Sequence, residues 1–599
     1  MIRHRGAIPP IHQERYPKRL IVFDTEAYRS PAVDGVELQT LRLGVAVYIQ
    51  LDDKLDELER EYYRFTTPEG LRGFIANYAR KDKTLYVYAH NLRYDLQLSG
   101  LYTGLVSDGW RSKLFVVESP PTFIKLCKGR SSITFVDTFN YWQSSLKLMG
   151  EQLAQGKLDM PVEADTQADW FTYCQRDVEV LTDYLLTFIH FLRDNQLAGL
   201  GLTLASQAFR SYRARFMRHE IILHDRAEVL TLEREGYYGG RCEAYHIGNP
   251  MQELYYKLDV NSMYPYVMLK HDYPVELVSY SEAIPLSLLG INLKRYYCLA
   301  DVTLNTDTPA YAYTNGAKLL FPVGYFRAIL HHADLIKALE REDIRQVNRI
   351  AVYNQADIFS DYVNWFYELK LQAEREGNKI IRHQAKIFLN SLYGKFGQRQ
   401  VVSKIVAYTD GVRYERLTGY SASLKCNVEV NYLGNAVEVR YKAGESYYSS
   451  PVIAGAVTAY ARAYLWELIT QARKENVYYV DTDSLIVNPM GYHNLSANLQ
   501  VGRLGGLKVE GISDRLYIHS VKDYAFGEEV KIKGVPRQAR KISNNSWEYE
   551  QFRGAKTWIK DGMTSGVEVY TRIKERKSTY DKGLVMADGE VLPLRFGGV

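Results

Sequence analysis

The sequence predicts a multidomain protein of mixed α/β and α+β class, and three observations lead there. The chain has 599 residues, far more than one hydrophobic core organises. Its composition, 46% hydrophobic and 24% charged, is that of a globular protein and not of a disordered one. Short apolar runs of strand type alternate in mixed order with long runs of helical period, the pattern of several domains.

Taken in order, RLIVFDTEAY reads as a buried strand ending in acids, and TLYVYAHNLRYDLQL as a strand, a turn closed by Asp95 and a helix. KLCKGRSSITFVDTF reads as a hairpin with a Gly-Arg turn, and the stretch from Ala168 to Asn195 has strong helical period. These elements predict an α/β domain over residues 1–195 that begins with a basic, proline-interrupted arm over 1–19. A glycine-rich junction, GYYGGRCEAY, leads to ELYYKLDVNSMYPYVM, a strand that breaks into a helix. Residues 272–350, rich in Tyr, Pro and Asn, read as an irregular insertion. Two helical runs follow between Phe359 and Lys395, with Gly377 and Asn378 supplying the turn. A second insertion over 399–449 alternates on both sides of Gly434-Asn435, which predicts a hairpin turning there. A helical run, the hairpin NVYYVDTDSLIV and a Lys-rich carboxy-terminal region complete the chain, with no internal repeat.

Composition narrows the function classes. The net charge of +5 is mild, but 49 tyrosines supply flat rings and hydroxyls of the kind a nucleic-acid channel uses. Five cysteines without CxxC spacing argue against a zinc ribbon or a disulfide framework. The amino terminus lacks the apolar core of a signal peptide, and PVIAGAVTAYARAYL is too short to span a bilayer and carries Arg462. The expectation is a soluble, cytoplasmic monomer with no membrane partner.

Two sets of acids carry the chemistry. Asp24 and Glu26 lie two apart on a strand and point to one side. Tyr173 and Asp177 lie four apart on one helical face. With Asp95, these carboxylates suit two divalent ions ~3.5–4 Å apart, with Tyr173 orienting an attacking water. In the second set, Asp259 ends a strand, and Asp481-Thr482-Asp483 sits at a hairpin tip. Laid side by side, Asp259, Asp483 and the Val260 carbonyl offer the hard oxygen ligands that Mg²⁺ prefers, with Asp481 a further catalytic acid. Arg382 and Lys386 share a helical face and can clamp phosphates. Asn390 and Tyr393 follow where base and sugar would lie, and Tyr264 is placed as a wall under the sugar.

The order of the first set resembles the three exonuclease motifs of proofreading family B DNA polymerases, and Ser145-Leu146 and Lys157 to Met160 resemble two further motifs of the protein-primed branch. The resemblance implies that Lys157 assists hydrolysis, and that His90, Asn91, Tyr94, Ser145 and Leu146 touch the single-stranded 3′ end. Asp259 to Pro265, Lys386 to Gly394 and Tyr479 to Ser484 are similar to motifs A, B and C of the same family. Lys522-Asp523-Tyr524 resembles its Lys-x-Tyr primer motif, and Tyr237-Tyr238-Gly239-Gly240 its Tyr-x-Gly-Gly element. On that likeness Tyr237, Gly239, Gly240, Ser262, Gly394, Thr482, Lys522 and Tyr524 contact DNA.

The implied fold is a ribonuclease H-like exonuclease domain followed by a right-hand polymerase domain over 196–599. The palm takes 196–271 and 451–526, the fingers 356–397 and the thumb 527–599. The two insertions match in position those that contact a terminal protein and enclose the template. A protein-primed, processive, strand-displacing polymerase is therefore implied, acting on primer–template DNA with dNTPs and two Mg²⁺ per site, replaceable by Mn²⁺. Its setting would be viral or plasmid replication, in the host cytoplasm if viral. Met263 and Arg382 depart from the usual residues, and either Lys370 or Lys379 fits the further nucleotide-binding lysine. In VKIKGVPRQARK, Lys531 and Lys533 begin a basic stretch suited to gripping the duplex backbone. Two other readings fit less of the chain: a family B polymerase extending ordinary primers or needing none, and a DNA-binding nuclease with a vestigial polymerase site.

Overall fold

The run Arg19–Arg29 lies inside the largest sheet, and Leu20 to Phe23 are fully buried because both faces of the strand are covered. The computed structural model describes residues 4–597 apart from 13, 119, 555–556, 558–564 and 577–578. Residues 1–3 and 13 of the expected basic arm, and those gaps and 598–599 in the expected thumb, lie outside the described residues. Arg19–Arg29 pairs in parallel with Thr84–Ala89, which pairs in parallel with Ser131–Asp137, and it runs antiparallel to Val36–Leu51. Helix Gln167–Asp194 packs across Arg19–Arg29 and Val36–Leu51. A reciprocal Thr166/Asp169 capping box fixes its start.

This sheet is not confined to the amino-terminal segment. Strand Val567–Glu575 pairs with Val36–Leu51 in the register Val567↔Gln39 and Val569↔Glu37, and it carries Ser546–Phe552 and Arg540–Ser543 beyond it. The two ends of the chain therefore share one hydrogen-bonded layer.

A second, antiparallel sheet has the spatial order Cys242–Ala244, Val477–Asp481, Ser484–Val487, Tyr255–Val260 and Leu507–Ser513. Helix Pro451–Ala472 is buried along most of its length, and its Arg462 is satisfied by the carbonyls of Tyr238 and Gly239 at 3.2 and 2.9 Å. Among the described residues no helix is long and apolar enough to cross a membrane.

Three expectations about local structure are corrected. The 272–350 stretch is regular: Tyr273–Glu282, Ile344–Ala356, Tyr297–Thr306 and Val323–His331 form an antiparallel sheet with its own apolar cluster. Its polar turn residues lie between long strands and mask their alternation. The tail strand Arg595–Phe596 adds in parallel to Val323–His331. The second insertion is a hairpin, but strand Cys426–Glu445 runs straight through Gly434-Asn435, and the turn lies at 422–425. Gly434, with φ +68, instead borders a register shift opposite Arg413. There the hairpin meets the first domain, Asn435 donating to the Trp110 carbonyl at 3.1 Å and Tyr102 to that of Leu433 at 3.1 Å. Finally, Asp95 does not close a turn. Asn91, with φ 74, starts helix Leu92–Leu98, and Asp95 is buried within it.

Helices Ser360–Arg375 and Lys379–Ser391 pack on each other across Gly377, and the Asn378 side chain caps the second through Ile381 N at 3.1 Å.

Candidate active sites

In the first site, strand alternation sets Asp24 and Glu26 side by side, and helix Gln167–Asp194 lowers Tyr173, Cys174 and Asp177 onto them. Ligand atoms of Asp24, Glu26 and Cys174 lie within 4.8 Å of one another. The Cys174 thiol donates to the Asp24 carbonyl at 3.5 Å. Asp95 accepts from the Thr25 hydroxyl at 2.6 Å. Lys157 is ion-paired with Asp177 Oδ2 and lies 4.6 Å over the Tyr173 ring. Asp177 Oδ1 is buried and has no hydrogen-bond partner among the described residues.

The electrostatics are those of an acid cluster short of cations. Burial, then Asp95, Asp177 and Glu26, hold Asp24 well above the usual carboxylate range. Burial and Asp177 push Glu26 up to about 7, and burial pushes Asp95 up to about 8 against its bond from Thr25. Burial raises Asp177 as well, although Lys157 opposes it. Like charges crowded in a poorly solvated site cannot all ionise unless a cation joins them. The orphaned Asp177 oxygen and the hard carboxylate donors fit a divalent ion. Cys174 went unnoticed in the sequence, although it lies three residues before Asp177 and its helical spacing was readable.

The expected contacts to a single strand divide. Both His90 ring nitrogens are used internally, Nδ1 with Thr138 Oγ1 at 2.9 Å and Nε2 with the Ser144 carbonyl at 2.8 Å, so His90 shapes the wall and is not free for DNA. Asn91 donates its backbone N–H to Asp137 at 3.0 Å. Tyr94 donates to Gln39 at 2.6 Å and sets its ring edge against Phe552. Ser145 is exposed and caps helix Leu146–Gly150, with Leu146 half-buried beneath.

The second site lies at the tip of the antiparallel sheet. Ser484 is opposite Asp259 on one side and Asp481 on the other, and the Val260 N–H donates to the Asp483 carbonyl at 2.8 Å. Thr482, with φ +64, turns the chain so that neighbouring acids diverge. Asp483 is pushed up to about 6 by burial and then by Asp259, and it has no ion-pair partner among the described residues. Asp481 instead meets Lys522 Nζ at 3.7 Å and Lys531 Nζ at 3.6 Å. Asp259 and Asp483 are thus brought together with Val260, and their oxygens fit a divalent ion. Lys508, which no motif singles out, approaches Asp259 at 3.1 Å.

The loop before this sheet holds the tip. Thr482 N–H donates to the Arg241 carbonyl at 2.7 Å. A Cβ on Gly240 would lie 2.8 Å from Thr482 Cγ2, so the close approach needs glycine there. Gly239 exposes open space, while Tyr237 packs on Gly397. Ser262 is left-handed, with φ 54, and starts helix Met263–Lys270.

Arg382, Lys386 and Asn390 form an exposed face of their helix, and Tyr264 stacks on Tyr393 with ring centres 4.6 Å apart. Burial, then Arg382, Lys386 and Lys508, depress the pKa of Lys370, whereas Lys379 lies exposed at the helix start. Of the two lysines, Lys370 is the one whose charge is affected by Arg382 and Lys386. Gly394 is open to solvent. Tyr524 is 2% exposed, its ring 5.0 Å from Tyr479 in an apolar cluster that also holds Phe526. It supports Lys531, which lies 5.7 Å over its ring, while Lys522 and Lys533 are exposed.

Comparison with known proteins places these sites in a context. A family model described as DNA polymerase type B, organellar and viral, matches residues 112–432, more than half of the chain. A DNA-directed DNA polymerase of Enterobacteria phage PRD1 is 25% identical over 384 residues, 62% of this chain and 62% of its own length. A probable DNA polymerase of Neurospora intermedia is 23% identical over 350 residues, 54% of this chain, and the match spans only 34% of that relative. Among solved structures, the Phi29 DNA polymerase with primer–template DNA and incoming nucleotide is similar with a TM-score of 0.66 at 14% identity, covering 94% of this chain and 100% of the other. This likeness establishes a shared overall fold of mixed α/β content.

Proposed function

Because this chain belongs to the organellar and viral type B DNA polymerases, we propose that it is a DNA-directed DNA polymerase with a proofreading 3′–5′ exonuclease. The observation that carries the reading is the presence of two carboxylate groupings on two different sheets, Asp24 with Glu26 on one and Asp259 with Asp483 on the other, the second with lysines paired to its acids.

In synthesis, Asp259, Asp483 and the Val260 carbonyl hold the divalent ions, Mg²⁺ or Mn²⁺. Bound there, such ions supply activation of the primer hydroxyl and neutralisation of charge on the leaving pyrophosphate. Arg382, Lys386 and Lys370 grip the triphosphate, and the stacked Tyr264 and Tyr393 form the floor beneath sugar and base. Lys522 and Lys531 hold Asp481 in place and present cations to the primer backbone. In degradation, Asp24, Glu26, Asp95 and Asp177 bind the ions. Lys157 orients the Asp177 carboxylate, and the Tyr173 hydroxyl positions the attacking water.

The reading extends to a hydroxyl of a terminal protein as primer and to displacement of the non-template strand. The first rests on the place of the 273–356 sheet between Asp259 and Lys386, where the resemblance puts the contact with a terminal protein. The hairpin Arg399–Ser421 and Cys426–Glu445, docked on the first domain, together with strand Val567–Glu575 in that domain's sheet, supports the second, since both tie distant parts of the chain to the first domain.

Primer extension on a hairpin template with dNTPs and Mg²⁺ tests the core of it. Asp483→Ala loses synthesis and keeps degradation, and Asp24→Ala does the opposite. Loss of both activities in either variant would sink the assignment. Transfer of a single nucleotide to a small basic protein from the neighbouring gene tests the priming, and extension of nucleic-acid primers alone would restrict the enzyme to those. Tyr264→Val, if Tyr264 excludes a 2′ hydroxyl, gains ribonucleotide incorporation.

A further inference from the structure

Lys508 lies at the edge of the second site in a position no part of the reading above uses. It sits on strand Leu507–Ser513 directly opposite Asp259, so the two side chains share one face of the sheet. Its ammonium is 3.1 Å from Asp259 Oδ2 and 3.2 Å from Glu510 Oε1. Glu510 is drawn in turn toward Lys257, at 3.8 Å, and Lys257 is anchored by Glu529 at 2.8 Å. One metal-binding carboxylate of the site is thus already engaged by a protein cation, while the other, Asp483, has no cationic partner among the described residues.

Two features show that this cation is not a fixed strut. The Lys508 side chain remains 44% exposed, and its four-carbon stem is flexible. Its charge also reaches Lys370, which feels Arg382 and Lys386 as well. Lys508 is thus seated on the carboxylates of the second site and near enough to Lys370 for the two charges to repel.

We propose that Lys508 is a resident counter-cation of the polymerase site, seated on Asp259 and Glu510 before metal and nucleotide arrive, and moved onto the triphosphate of the incoming nucleotide when a divalent ion takes Asp259. The inference rests on the polymerase reading for its second half alone. A lysine on Asp259 competes with any metal for the same oxygens, and once displaced it adds a positive charge where the β- and γ-phosphates lie. Binding of nucleotide and of metal thereby assist each other, because each offers a better partner to a group the other has released.

The test uses the full chain with Asp24→Ala and Asp95→Ala, so that the first site does not contribute to the metal count. Free Mn²⁺ is followed by electron paramagnetic resonance during titration of the DNA-free protein. Lys508→Met is expected to bind Mn²⁺ about two- to five-fold more tightly, the loss of one competing, half-exposed ion pair. Lys508→Arg is expected to match the parent. In primer extension at saturating metal, Lys508→Met should raise KM for dNTP about ten-fold with a much smaller change in kcat, and arginine should restore it. Unchanged Mn²⁺ affinity in Lys508→Met would overturn the counter-cation role, and tighter metal binding with unchanged KM would overturn the transfer to nucleotide. If the parent chain extends no primer, the polymerase reading fails, yet the Mn²⁺ titration still decides whether Lys508 guards Asp259.

Discussion

The two acid clusters of this chain solve one electrostatic problem in opposite ways. In the first, Asp24, Glu26, Asp95 and Asp177 converge under a helix, and Lys157 is the cation paired with them there. In the second, the acids are divided among lysines: Asp481 between Lys522 and Lys531, Asp259 with Lys508. The difference follows from architecture. A strand buried on both faces beneath a long helix leaves little room for long basic side chains, whereas the tip of an open antiparallel sheet admits them from neighbouring strands. A cluster short of cations is unstable without metal, while one that carries its own cations keeps its shape and exchanges partners.

The largest expected break in this symmetry comes from removing one lysine on each side. Lys157→Met leaves Asp177, 2% exposed, without its cation. Stripping one partner from a buried pair costs about 3–5 kcal/mol in stability, and degradation should fall about 10–100-fold. Lys531→Met leaves Asp481 its second lysine, and loss of such an exposed pair should cost about 0–1 kcal/mol. Urea unfolding of the two variants, with nuclease assays alongside, measures the contrast. Equal losses would mean the first cluster is no more dependent on its lysine than the second.

Metal removal should show the same asymmetry through pH. Glu26 and Asp95 have folded-state values of about 7 and 8, above the unfolded ~4.3 and ~3.9. Between those limits the folded, metal-free protein holds more protons than the unfolded chain, so its stability falls as pH rises from about 4 to about 8. Divalent cations remove that penalty, so Mg²⁺ should raise Tm more at pH 8 than at pH 5, by about 2 °C or more. The second site contributes less, since Asp483 is raised only to about 6. Glu26→Gln with Asp95→Asn should flatten the dependence, and a dependence that survives both changes would place its origin elsewhere.

How much of this was readable in the sequence follows from the range of the signals. Period-two spacing put Asp24 beside Glu26, and the i to i+4 spacing put Tyr173 over Asp177, because both are local geometry. The Gly377-Asn378 turn was readable for the same reason. Lys508 was not, because its place depends on the register between strands some 250 residues apart in sequence. The burial of Tyr524 was not legible either, because a motif does not say how its strand is covered. The hairpin turn was misplaced because Gly434 accommodates a bulge where the strand meets the first domain, a contact no local pattern encodes. The carboxy-terminal strands in the first sheet were invisible for the same reason.

A smaller effect separates the two lysines that the spacing left open. Lys370→Ala should raise KM for dNTP about ten-fold, since its charge adds to those of Arg382 and Lys386. Lys379→Ala, exposed at the start of its helix, should stay within about two-fold. The reverse order would move the nucleotide to the other end of the helix pair.

The finest test concerns how the second site is held. Gly240→Ala would bring a methyl group 2.8 Å from Thr482 Cγ2 and 2.9 Å from its Oγ1. Because Thr482 N–H is tied to the Arg241 carbonyl at 2.7 Å, the strain passes into the turn that carries Asp481 and Asp483. Synthesis should fall by about three-fold, a change of roughly 0.6 kcal/mol, while degradation is untouched because the first cluster lies on another sheet. Thr482→Ala removes both crowded atoms, so the double variant should recover most of what Gly240→Ala loses relative to Thr482→Ala alone, a coupling that a double-mutant cycle isolates. Additive losses would mean that Gly240 acts on DNA directly, and that the loop and the acids of the second site are independent parts.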